Sequence, residues 1–208
     1  LAGMAEPTSG EILLDDLSLG QIDPADVRRD VGLLTQNSRL FHGTVRENIT
    51  LGAPHASQAE LLDALGMVGA DEFIGRLPRG LDHQILEGGR GLSGGQQQAL
   101  LLARLLIRDP SIVLLDEPTA SMDEATERAF INRFRLWSAE KTVIVATHRM
   151  RVLELVDRVI AFENGQVALD ESKEEALGIL KGVRKVVPAA AGGGVDISGE
   201  AAEGVRSL

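Results

Sequence analysis

The chain has 208 residues, 44% of them hydrophobic and 25% charged, a size and balance that suit one main globular body with a sizeable core. Its 31 acidic and 21 basic residues give a formal charge of −10. This argues against a nucleic-acid-binding surface, since phosphate contacts need clustered Lys and Arg and the chain has no basic run. The absence of cysteine excludes disulfides, thiolate catalysis and Cys-ligated zinc, and no apolar run approaches the roughly 20 residues that cross a bilayer.

In chain order, Leu1-Ala2-Gly3 stands where a methionine would start and reads as the tail of an element begun upstream, so a fragment is expected. Residues 11–14 and 31–34 are short apolar runs bounded by Gly, Asp and Pro, as strands are, with an acidic, proline-containing stretch from Asp23 to Arg29 between them. From Ser57 the period changes. Ser57 and Glu60 form a capping box, and Leu61, Leu62, Leu65 and Val68 recur at helical spacing. Residues from about 55 to 90 therefore read as a helical insert, which together with the next helix makes a small helical subdomain reaching about residue 110.

That next helix carries the run Ala99 to Ile107. It is apolar nearly all round, which predicts burial, and Asp109-Pro110 stops it because the residue before proline avoids the helical region. Residues 112–115 follow as a central parallel strand, then a helix led by Asp123, Glu124 and Glu127 with Phe130, Phe134 and Trp137 in one stripe. Thr142 to Ala146 is a second buried strand. Asn164-Gly165 between residues 159–162 and 166–169 is a hairpin signal. Strands alternating with helices give an α/β fold with a largely parallel sheet. From about residue 183, small residues without periodicity predict a flexible tail over 183–208.

Four places carry chemistry. Leu92-Ser93-Gly94-Gly95-Gln96 opens a helix with a hydroxyl, two side-chain-free amides and a helix N-terminus, a combination that holds an anion; its plainer role is an N-cap after a glycine turn. Asp116-Glu117 ends a buried strand, where open α/β sheets place ligands, and adjacent carboxylates can divide metal binding from general-base work. His148 ends another strand, where a neutral imidazole can bond a phosphate oxygen or orient a water. Gln36 ends a third, and its uncharged amide can reach a metal-bound water.

In order and spacing, Gln36, Leu92 to Gln96, Asp116-Glu117-Pro118-Thr119, Asp123 and His148 resemble the Q-loop, signature, Walker B, D-loop and H-loop of ATP-binding cassette (ABC) ATPases over about residues 1–182. The resemblance implies a P-loop NTPase-like fold, ATP and Mg²⁺ as ligands, and a second ABC ATPase subunit as partner, most simply in a homodimer. It further implies that Ser93, Gly95 and Gln96, with Gly94 in the same turn, contact the γ-phosphate and ribose of ATP bound mainly by the partner. Asp116 and Gln36 serve the metal, Glu117 the attacking water and His148 the γ-phosphate, while Asp123 relays between sites or simply caps its helix.

Residues 40–49, Leu-Phe-His-Gly-Thr-Val-Arg-Glu-Asn-Ile, and Glu87-Gly88-Gly89 resemble exporter-type members, especially type I secretion and peptide exporters, with His83 and Leu86 departing from the pattern. Such a resemblance implies a transmembrane domain in the same full-length polypeptide, holding the ATPase at the cytoplasmic face of the inner membrane. The family's phosphate cradle, GxxxxGK[ST], needs a Gly-Lys pair, and the four lysines here follow Glu140, Ser172, Leu180 and Arg184. The resemblance therefore puts Walker A upstream of Leu1 and makes the 208 residues inactive alone. Two other readings share these motifs: a non-catalytic cassette that pairs with a complete one, and a soluble ABC ATPase.

Overall fold

The computed structural model describes residues 2–180. The tail expected over 183–208 lies outside the described residues. Strands β1 (Leu13–Leu14) and β2 (Leu17–Ser18) form a small antiparallel pair in place of the longer strand expected over 11–14. Asp15 and Asp16, at φ 46° and 65°, supply the two left-handed positions that so tight a turn requires. Next comes α1 (Pro24–Asp30), a helix where the sequence suggested only a spacer. Asp23 accepts a bond from the Ala25 amide at 2.7 Å and Pro24 occupies the first turn, an N-terminal signature legible in retrospect.

Strand β3 (Val31–Leu34) leads to β4 (Gly43–Thr44) and α2 (Val45–Thr50), then to α3 (Gln58–Met67), α4 (Asp71–Arg76) and β5 (Gln84–Ile85), which pairs antiparallel with β4. Both halves of the Ser57–Glu60 capping box are present at the start of α3. Of the apolar positions expected on α3, Leu61 and Leu65 are buried, whereas Leu62 turns to solvent. Then follow α5 (Gly94–Leu106), β6 (Ile112–Asp116), α6 (Glu124–Trp137), β7 (Thr142–Ala146), the hairpin β8 (Arg158–Glu163) and β9 (Gln166–Ser172), and α7 (Lys173–Leu180). Asn164 and Gly165, at φ 51° and 77°, form the expected hairpin turn.

The central sheet is parallel, in the order β3-β6-β7. Its alternation buries both faces. Leu34, Val113, Leu115, Val143 and Val145 point into the larger core with α5 and α6; Val31, Leu114 and Ile144 face the other way, with Val27 of α1. Gly32 is glycine for a steric reason, because a Cβ there would come within 2.6 Å of the Pro110 ring. Helix α5 joins the two parts of the larger core: Leu100, Leu102 and Ala103 are wholly buried, and Leu61, Leu65 and Val68 from the helical segment belong to the same cluster. Full burial of each such Leu contributes about 1.5–3 kcal/mol before entropy is counted. On α6 the expected stripe holds, with ring centroids 5.3 Å apart for Phe130–Phe134 and for Phe134–Trp137.

Candidate active site

The three parallel strands end together, since Leu34 lies beside Leu115 and Asp116 beside Ala146. Gln36, Asp116, Glu117 and His148 consequently meet at the carboxyl edge of the sheet. An Asp116 oxygen accepts from the Gln36 backbone N–H at 3.4 Å, while the Gln36 side chain is exposed. Glu117 is held more firmly. Its Oε1 accepts from the His148 backbone N–H at 3.0 Å and lies 2.6 Å from His148 Nδ1, and its Oε2 accepts from the Thr147 hydroxyl at 3.2 Å.

Glu117 also sits in the left-handed region, at φ 48°, a conformation that costs a non-glycine residue about 1–3 kcal/mol. Its backbone N–H donates to Ala146 O at 2.9 Å and its carbonyl accepts from Gln98 of α5 at 3.3 Å, so the surrounding structure holds that conformation. The carboxylate is mostly covered, with 19% of its side chain exposed, whereas the His148 ring is 80% exposed. With Nδ1 turned to the carboxylate, Nε2 is the ring nitrogen presented outward. This arrangement can accept a proton from a water at Glu117, and His148, whose Nδ1 donates to the carboxylate, can also donate to an anion through Nε2 when both ring nitrogens carry protons.

The residues 93–96 form a second group. Ser93 Oγ accepts from the Gln96 N–H at 3.2 Å, and Gln96 Oε1 accepts from the Ser93 N–H at 2.9 Å, closing a capping box on α5. Gly94 and Gly95 lie against the turn 119–123: a Cβ on Gly95 would sit 3.0 Å from the Ser121 carbonyl oxygen, which explains the absence of a side chain there. Asp123 caps α6, accepting from the Ala125 and Thr126 amides at 3.0 and 2.9 Å and from the Thr126 hydroxyl at 3.1 Å. Those bonds, the Thr126 amide first, hold its carboxyl below the usual range.

A sequence profile described as ABC transporter matches residues 1–120. The chain belongs to the ABC transporter family. It is 40% identical over 168 residues to the cyclolysin secretion/processing ATP-binding protein of Bordetella pertussis, covering 81% of this chain and 24% of that protein. Against the multidrug resistance protein 1 of Entamoeba histolytica the identity is 37% over 180 residues, 85% of this chain and 14% of the other. A putative multidrug export ATP-binding/permease protein of Staphylococcus aureus is 36% identical over 160 residues, 77% of this chain and 28% of the other. Among solved structures, a bacterial Atm1-family ABC exporter with ATP bound superposes with a TM-score of 0.82 at 30% identity, covering 91% of this chain and 34% of that one. The chain thus spans about a quarter of the Bordetella and staphylococcal proteins. The fold is that of an ABC ATPase domain, of the P-loop NTPase class.

Sequence reasoning passed over several residues around this candidate site. Thr147 and Gln98 anchor Glu117, and Glu127, expected merely to favour the start of α6, is buried and bonded to Thr119 and Arg149. The signal was available. Glu127 lies three, four and seven residues before Phe130, Ile131 and Phe134, so it shares their inward face and needs a buried partner.

Proposed function

We propose that these residues form the ATP-hydrolysing domain of an ABC exporter, in which a dimer of such domains couples ATP binding and hydrolysis to transport through an attached membrane domain. One observation carries the reading: a strand-end carboxylate, Glu117, clamped between His148 and Thr147 beside a second carboxylate, Asp116. In it, Glu117 takes a proton from the water as that oxygen bonds to the γ-phosphorus, the bridging P–O bond breaks and ADP departs. With a proton on both ring nitrogens, His148 donates from Nδ1 to Glu117 and from its exposed nitrogen to a γ-phosphate oxygen, and Gln36 aligns the water.

The donor set suits Mg²⁺. Asp116 offers carboxylate oxygens at the sheet edge, one of them accepting from the Gln36 backbone N–H, and Mg²⁺ takes one or two carboxylates together with substrate phosphates and water. Among the described residues no group of three or more His, Asp or Glu could hold a metal ion, and a site completed by phosphates needs none. The ion, held by Asp116, would neutralise charge on the phosphates.

Ser93, Gly94, Gly95 and Gln96 would close over ATP held by the partner subunit, with Asp123 at the contact between the two. The names of the Bordetella and staphylococcal relatives, a secretion/processing protein and a multidrug export permease, support attachment to a membrane; in our reading the domain lies at its cytoplasmic face and the cargo is a protein, a peptide or a lipid-like molecule. Because no Gly-Lys pair occurs in residues 1–208, we also propose that this chain alone neither binds nor hydrolyses ATP appreciably.

In the intact exporter polypeptide, Glu117→Gln should abolish MgATP hydrolysis, lowering turnover by about a hundredfold or more, while nucleotide binding persists. Phosphate release at the parental rate from that variant would remove Glu117 from its role.

A further inference from the structure

We infer that Arg149 is a positioning residue that fixes the turn 119–123, and with it the glycines of the signature, to the strand end bearing His148. The inference rests on the ATPase reading above and concerns a residue with no assigned part in it. Arg149 follows His148 directly, and its backbone N–H donates to the Thr147 hydroxyl at 3.1 Å, the same hydroxyl that donates to Glu117. Its guanidinium then reaches across to the turn. One nitrogen donates to Glu127 at 2.8 Å and to the Met122 carbonyl at 3.5 Å, and the other donates to the Ala120 carbonyl at 3.0 Å.

The far end of this connection is buried. Glu127 is 5% exposed and Thr119 is fully covered, with the Thr119 hydroxyl donating to the same Glu127 oxygen at 2.6 Å. Glu127 belongs to α6, Thr119 begins the turn and Arg149 comes from the segment after β7, so three elements meet on one carboxylate. Ser121, in the middle of the turn, is the residue against which Gly94 and Gly95 pack. Two carbonyls flanking Ser121 are thereby tied to the backbone beside His148. A planar fork can hold a carboxylate and two carbonyls together, as a lysine ammonium on a flexible stem does not.

The consequence is mechanical. Whatever moves His148 when a phosphate binds must also carry Ser121 and the signature turn, because Arg149 joins them as one body. A merely structural ion pair predicts something different: replacing both partners by neutral residues would restore stability and function together, since no buried charge is left unpaired.

The test uses the intact exporter polypeptide with Arg149→Met, Arg149→Met/Glu127→Gln and Arg149→Lys. Three quantities are measured: melting temperature, amide hydrogen exchange across residues 119–123, and kcat and KM for MgATP. The single variant should melt lower. In the double variant, where the amide oxygen placed at position 127 still accepts from Thr119, the melting temperature should return to near the parental value. Exchange at residues 119–123 should nevertheless stay about tenfold faster or more, and kcat about tenfold to a hundredfold lower, with KM within about twofold of the parent. Arg149→Lys keeps the charge and should keep the melting temperature, yet show the same faster exchange and a lowered kcat.

A double variant, or the lysine variant, with parental exchange or parental kcat would overturn the inference. The ATPase reading fails separately, through parental hydrolysis by Glu117→Gln, and the exchange measurement stands whatever that result.

Discussion

Glu127 illustrates how a single side chain sets a pH dependence. Burial pushes its carboxyl up, but the hydrogen bonds from Thr119 and Arg149 and the charges of Arg149 and Arg151 outweigh that, and the net position lies below the usual carboxylate range. A carboxyl depressed on folding adds stability above its unfolded value of about 4.3, and that stability is lost as pH falls through the folded value. Asp170 behaves alike: its bidentate bonds from Arg158, at 2.5 and 2.6 Å, lower it against burial. Glu127→Gln should therefore cost roughly 1.5–3 kcal/mol at neutral pH, with the gap from the parent narrowing below about pH 4. Urea denaturation of both proteins at pH 7 and at pH 3.5 measures it; a gap that widened in acid would reverse the assignment.

At the scale of elements, Asn48 does more than its place in a six-residue helix suggests. Wholly buried, it accepts from the Phe41 N–H and from Arg104, and donates to the Phe41 and Thr44 carbonyls. Arg104 of α5 adds bonds to the Asn48 and Arg39 carbonyls and stacks 4.4 Å from the Phe41 ring centre, so the loop 39–44 is fastened to the signature helix. Burial brings the Arg104 guanidinium down to about 10, still charged at neutral pH. Asn48→Leu has similar volume but orphans several buried groups. It should destabilise by about 3 kcal/mol or more, read as a shift in denaturation midpoint.

Such links explain what could be read from the chain beforehand. Strands β6 and β7, helices α3, α5 and α6 and the Asn164-Gly165 hairpin were legible because period, caps and turn residues agree locally. Short elements were not. Helix α1 was hidden in an acidic stretch, α2 was seen only as a motif, and the Asp15-Asp16 turn shortened the first strand. The ends of the strands were legible with the strands themselves, and Gln36, Asp116, Glu117 and His148 lie together at that edge. Their anchors, Thr147, Gln98 and Arg149, depend on tertiary contacts that no local pattern specifies.

For the whole molecule, one face of the parallel sheet and the helical segment share a core through α5, while Val27 of α1 packs on the other face, so the site groups are carried on a sheet packed from both sides. The single tryptophan, Trp137, packs at the end of α6 and reports on that scaffold by fluorescence. Residues 1–208 alone should show folded Trp137 emission yet no saturable binding in an equilibrium titration with MgATP. Tight, stoichiometric binding would mean that a phosphate cradle exists without a Gly-Lys pair. The capping box on α5 decides what this helix start can offer to a ligand. Ser93 Oγ and Gln96 Oε1 each accept the other's backbone N–H. The hydroxyl proton of Ser93 and the amide protons of Gln96 stay outside that exchange. Folding thus draws on acceptors and on no side-chain donor at this helix start, a balance that favours an anion over a cation.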